Sequence, residues 1–357
     1  MNTQLAPQRN YVIDLLRVLA IIGVVVIHVT SRTLENGGYD ILRLNLSLIL
    51  NQIFRFAVPL FFLISGFTLE YRYSGGVSAK LFYKKRITKL LVPYILWSAV
   101  YYLFMFNNSI SSLFSLNFAS QLLSGTASIQ MYFIPSIAIL YLLYPFFHRY
   151  IHILFNVKIL IIFTLFQILL FFADYYSTGI GIPTPLRISL LNLYIFTTGM
   201  IATHRSEQIK TFVKNNYKLL AGLIIGSFIA MYFESRFNYL NGNNINYITS
   251  QWRWSTTVYT LSIATLVFAF SNLISEKIKK IVLELSKFSL FVFFIHLFVI
   301  ASFWKVIGSY LFSKTAGHIS ENILFDLFAT LFVLFVSFLL AYILSLIPKV
   351  GWIMGIE

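Results

Sequence analysis

Long apolar runs dominate the chain, and the polar positions inside them are few enough to weigh one by one. The first run, Tyr11 to Ser31, reads YVIDLLRVLAIIGVVVIHVTS. It suffices for one membrane-crossing helix, because ~20 residues at ~1.5 Å rise cover a ~30 Å hydrocarbon core. Nine more apolar runs follow, and the pattern predicts ten spans at roughly 11–31, 43–70, 90–107, 129–147, 159–176, 186–203, 219–234, 254–274, 289–304 and 323–347. The longest connections are about twenty residues, with no Pro/Ser-rich linker, low-complexity tail or internal repeat among them. The predicted fold class is therefore all-α, a polytopic membrane protein forming one integral membrane domain over 1–357, with its core at about 11–347.

Basic residues orient these spans. With a cytoplasmic N-terminus, that side receives eighteen Lys and Arg, including Arg72, Lys80, Lys84, Lys85, Arg86 and Lys89, and the other side seven. The positive-inside rule thus predicts both termini cytoplasmic. A secretory signal peptide is not expected, since the first run holds Asp14 and Arg17 and lacks a small-residue cleavage pattern.

Composition agrees and removes several function classes. Hydrophobic residues make up 58% and charged residues 11%, against about 25% charged in a soluble domain. The net charge of +15 needs no nucleic-acid partner, because the cations sit in short clusters between apolar runs. The absence of cysteine excludes disulfides, thiolate metal sites and cysteine nucleophiles; no metal site is expected.

The intramembrane polar residues carry the chemistry. A charge at mid-helix costs roughly 2.5–3.5 kcal/mol on insertion scales, so such residues usually face protein or a wet cavity. Arg17 and His28 are eleven residues apart, which at ~100° per residue returns to nearly the same helix face, about 16 Å along the axis. Asp14 lies one turn before Arg17 and can pair with it. The second run holds Arg55 near its middle, followed by Pro59 and LFFLISGF, so Arg55 is expected to face the same interior. Lys84, Lys85, Arg86 and Lys89 form the densest basic patch, suited to phosphate groups or anionic lipid as well as to ordinary topology. His296 is a second intramembrane histidine, with a hydrogen-bonded packing role as its plainer reading. Asp174 and Glu234 fall near outer span ends; Glu234 is the better site candidate, able to orient an imidazole or hold a sugar hydroxyl. Asp326, near the start of the last span, is expected at the interface.

In chain order, Arg17-X10-His28, RFAVPLFFLISGF from Arg55 to Phe67, KKRITKLLVPY from Lys84 to Tyr94, and LSKFSLFVFFIH ending at His296 resemble the membrane-bound acyltransferase-3 family. The resemblance spans about Tyr11 to Val299. It implies transfer of an acyl group, commonly acetyl from cytoplasmic acetyl-CoA, to a hydroxyl of a carbohydrate or lipid-linked glycan at the cell membrane. It also implies that Arg17 and His28 are the functional pair; Asp14, Arg55, Glu234 and His296 are expected, from their positions in the apolar runs, to support them. Many members carry a further extracytoplasmic esterase-like domain; none is present in this sequence, so a second transfer step is expected to need a glycan-assembly partner.

The residue types suit that chemistry independently. Acyl transfer to a hydroxyl needs a base for the attacking oxygen and a donor for the developing oxyanion. Histidine serves the first near neutral pH, and Arg or Lys can hold the phosphates of a nucleotide thioester. Direct transfer and an acyl-histidine relay are both compatible with the sequence. The rival class is a transporter or flippase for an anionic glycan or acyl precursor, with Arg17, Arg55 and His296 lining its path.

Overall fold

The computed structural model describes residues 10–35, 41–76, 78–105, 108–176, 182–243, 245–308, 323–347 and 350–356. The described residues form helices and no strands. Nine of these helices are long and apolar enough to cross a membrane, or ten when the bent pair Thr184–Leu191 and Leu193–His204 counts as one span. The protein is thus an all-helical, multi-pass membrane protein. The ten apolar runs correspond one to one with these spans.

The chain packs as two compact units, one of residues 1–17, 60–215 and 265–283, the other of 18–59, 216–264 and 284–357. Lipid-embedded helices gain nothing by hiding apolar faces from one another, so close backbone approach and polar contacts decide how they associate. Both devices are visible inside each unit.

In the first unit, helix α3 (Ala57–Tyr73) meets helix α9 (Leu193–His204) at two glycines. A Cβ added to Gly66 would lie 2.0 Å from the Phe196 carbonyl oxygen, and one added to Gly199 would lie 2.1 Å from that of Leu63. Neither position can hold any other residue at this spacing. The short helix α8 (Thr184–Leu191) turns 46° into α9 at Asn192. Buried Gln167 of α7 (Val157–Tyr176) stitches that break, donating to the Leu191 carbonyl at 3.1 Å and accepting from the Tyr194 N–H at 3.3 Å. Backbone groups freed by a broken span are tolerated when they are satisfied inside protein in this way.

In the second unit, helix α1 (Tyr11–Glu35) contributes its residues from Val18 onward, with α2 (Ile41–Ile53), α12 (Trp254–Phe270) up to Ala264, α14 (Ser289–Phe303) and α15 (Ile323–Ser345). Phe303 of α14 packs among Phe325, Phe328 and Phe332 of α15. Asp326, expected at the interface, is instead buried and accepts a 2.9 Å hydrogen bond from the Ser47 hydroxyl of α2. A carboxylate in that setting is retained by its donor rather than by water.

The predicted span 43–70 corresponds to the candidate span Leu46–Tyr73, within which the helix is interrupted. Residues 54–56 form a turn between α2 and α3, with 3₁₀-type bonds from Arg55 N–H to the Gln52 carbonyl (3.1 Å) and from Ala57 N–H to that of Phe54 (3.0 Å). Pro59 explains the position of the break. A proline ring clashes with the carbonyl four residues earlier, here Arg55, yet is tolerated in the first turn of a new helix. Arg55 therefore sits at a break and not on a continuous helical face.

Candidate functional site

The polar centre of the second unit is built around His28. The α1 backbone carries His28 into half-buried surroundings, and His296 of α14 lies beside it, ring centroids 5.1 Å apart and planes tilted by 44°. His296 is fully buried. Its Nδ1 lies 3.1 Å from the Val292 carbonyl oxygen and 2.8 Å from that of Phe293. Carbonyls only accept, so Nδ1 carries the hydrogen.

Arg55 completes the group. It is buried, donates from Nη2 to the Asn51 side-chain oxygen, and is close enough for its charge to interact with His28. The Asn51 amide reaches in the other direction, to the Ile27 carbonyl (3.2 Å), the Thr30 hydroxyl (2.9 Å) and the Ser31 hydroxyl (3.1 Å). Asn51 thus fastens the guanidinium to the turn of α1 that bears His28. An arginine so deep in a membrane domain needs such partners, since an uncompensated buried charge costs several kcal/mol.

Arg17 and Asp14 form a separate feature on the part of α1 that belongs to the first unit. Asp14 is buried, and the two side chains pair at 3.3 Å one helical turn apart. The eleven residues from Arg17 to His28 lie within one continuous helix, placing the two about 16 Å apart along its axis.

The remaining expected residues are distributed. Glu234 forms an ion pair with buried Arg253, 3.1 Å from its Nε, and Arg253 donates from Nη1 to the Ser235 hydroxyl at 2.7 Å. Asp174 pairs with Arg187 at 3.4 Å. On α4 (Ala79–Met105), Lys84 and Lys89 are exposed, while the Arg86 guanidinium lies 6.0 Å from the Tyr73 ring and 5.9 Å from that of Tyr141. The Lys85 side chain lies outside the described residues.

A second polar centre, in the first unit, was not anticipated. Glu70 on α3 is fully buried and accepts from the Tyr144 hydroxyl (3.2 Å). His148 Nδ1 lies 3.0 Å from Glu70 Oε2, and His204 Nε2 lies 2.7 Å from Oε1. These contacts tie α3 to α9 and to α6 (Phe133–Tyr150). A signal was present: the two histidines and the glutamate all fall at predicted cytoplasmic span ends. Asn51 was legible only as the residue one turn before Arg55.

These features define a multi-pass helical membrane protein with a histidine pair and an arginine enclosed by protein. The family model of the acyltransferase domain, acyltransferase-3, matches residues 10–342. The chain belongs to that family and is a membrane acyltransferase. No curated protein and no solved structure matches the chain.

Proposed function

We propose that the protein transfers an acyl group, acetyl in the first instance, from acyl-CoA to a hydroxyl of a cell-surface glycan or its lipid-linked precursor in the cell membrane. The observation carrying this reading is the enclosed trio of His28, His296 and Arg55 in a chain of acyltransferase family. His28, half-buried, is the member of the trio open enough to meet a substrate. In the direct route, a bare ring nitrogen of His28 takes the acceptor hydroxyl proton as its oxygen attacks the thioester carbonyl. The C–S bond then breaks, and the imidazolium returns the proton to the departing CoA sulfur. In the relay route, the bare nitrogen of His28 attacks the thioester carbonyl and the C–S bond breaks to release CoA thiolate; the alcohol oxygen then attacks the acyl-imidazole, the C–N bond breaks, and the alcohol proton is left to the thiolate. Arg55 supplies positive charge for the developing oxyanion, a role worth about 10²–10³ in rate for one donor in other acyl-transfer enzymes.

Arg17 and the Lys84, Lys85, Arg86 and Lys89 group hold the donor's phosphates on the cytoplasmic side. The pantetheine arm is long enough to cover the ~16 Å from Arg17 to His28 along α1. Asp14 steadies the Arg17 guanidinium. Acyl-CoA is thus a substrate and no permanently bound cofactor is required.

The test uses the purified chain in detergent with acetyl-CoA and a soluble carbohydrate acceptor and follows free thiol release. The absence of cysteine from the sequence removes protein background from a thiol reagent. Wild type releases CoA without a sealed compartment, as a transporter would not. His28→Ala, still monodisperse and membrane-inserted, is expected to lose about 10²–10⁴-fold in turnover, the usual contribution of a positioned base. Full activity in that variant removes the proposed site.

A further inference from the structure

His296 has one side of its ring committed and the other unspent. Its Nδ1 hydrogen is held by the Val292 and Phe293 carbonyls, so in the neutral ring Nε2 is a bare lone pair. That atom is buried and has no hydrogen-bond partner. Such an orphan acceptor is expensive to keep, and native structures usually have a reason for one. The histidine itself is fully buried, so it does not meet a substrate directly. Its polar neighbour is His28, at 5.1 Å between ring centroids. A ring nitrogen lies about 1.2 Å from its centroid, so turning the two nitrogens toward each other over that separation brings them to about 2.7 Å, hydrogen-bond distance, although the present ring orientation does not make that bond.

We infer that His296 is a positioning residue: when the His28 ring turns toward it, its Nε2 accepts one ring N–H of His28 and thereby fixes which nitrogen of His28 is left bare to act as base. This rests on the reading of His28 as the catalytic imidazole. Arg55 reinforces it, because a nearby guanidinium, fastened through Asn51 to the His28 turn, cannot itself accept a proton or bond to a ring N–H. The acceptor role is left to His296. Two neutral imidazoles can share one such bond in only one sense when one of them has its donor already engaged. The direction of the bond, and with it the tautomer of His28, is set by two backbone carbonyls on α14.

Three substitutions separate this role from simple packing. His296→Gln places a carbonyl oxygen near the position of Nε2 and gives up the backbone contacts. His296→Asn keeps an amide N–H near Nδ1 for those carbonyls and gives up the distal acceptor. His296→Leu gives up both. Each is purified in detergent, checked for monodispersity and assayed by thiol release from acetyl-CoA in the presence of the same soluble carbohydrate acceptor. Positioning predicts that Gln stays within about tenfold of wild type in kcat, while Asn and Leu fall by about 10²-fold or more with KM for acetyl-CoA little changed. Activity retained by Asn and lost by Gln overturns the inference, since a packing role needs the backbone bonds.

Retained activity in all three variants, with His28→Ala inactive, also overturns it while leaving the proposed function standing. An active His28→Ala instead removes the proposed function. The second measurement is ¹⁵N NMR of histidine-labelled protein, with the His28 signals assigned by their loss in His28→Gln among the six histidines. One neutral tautomer of His28 is expected in wild type and His296→Gln, and a mixture in His296→Leu. A mixture already present in wild type refutes the assignment.

Discussion

Asn51 gives the sharpest structural prediction, because one side chain serves both Arg55 and the His28 turn. In Asn51→Leu the volume is nearly kept, but the Arg55 bond to Oδ1 is lost, together with the amide contacts to Ile27, Thr30 and Ser31. A hydrogen bond to a charged group is worth about 1.5–3 kcal/mol, and a buried group left under-satisfied costs about 1–3 kcal/mol. The variant is therefore expected to lose about 3 kcal/mol, about two decades in the folding equilibrium. The assay is SDS-titration unfolding in mixed micelles of wild type, Asn51→Leu, Arg55→Leu and the double variant. Since the two side chains touch, the cycle should show a coupling of at least about 1.5 kcal/mol, well above the ~0.5 kcal/mol seen for independent sites. The double variant should be less destabilised than the sum of the singles, as when both members of a buried charged contact are replaced together. Additive losses, or an unchanged midpoint for Asn51→Leu, would show that Asn51 does not anchor the guanidinium.

Gly66→Ala and Gly199→Ala each place a methyl about 2 Å from a carbonyl oxygen of the facing helix, so α3 and α9 must separate by roughly 1 Å; each is expected to cost about 3 kcal/mol or more, and the pair less than the sum because one displacement relieves both. Wild-type unfolding midpoints for both would contradict the close approach. Glu70→Ala, which removes the carboxylate shared by the two imidazoles while the Tyr144 hydroxyl keeps the Leu69 carbonyl, should lower stability by about 1–3 kcal/mol, and Glu70→Gln, which still offers an acceptor, by less. Equal losses in the same unfolding assay would mean that the carboxylate charge, not its acceptor geometry, holds these helices together.

The sequence alone determined the number of spans and the all-helical class, because a lipid environment forces each apolar run of about twenty residues into a helix whatever its neighbours are. It also determined the Asp14–Arg17 pair and the shared helix of Arg17 and His28, since both depend only on separation along one helix. Even the α2–α3 break was latent in Pro59, whose ring acts on the Arg55 carbonyl four residues before it. Tertiary structure decided everything that joins residues distant in the chain. His296 is 268 positions from His28, and no periodicity announces that their rings meet; Asp326 and Ser47, 279 positions apart, become a buried pair for the same reason. Glu70, His148 and His204 each fall near a span end, and only the convergence of α3, α6 and α9 makes them one cluster. Local rules set each helix because its backbone bonds are internal to it, whereas the choice of partner face rests on glycine contacts and side-chain hydrogen bonds that exist only once the helices are packed.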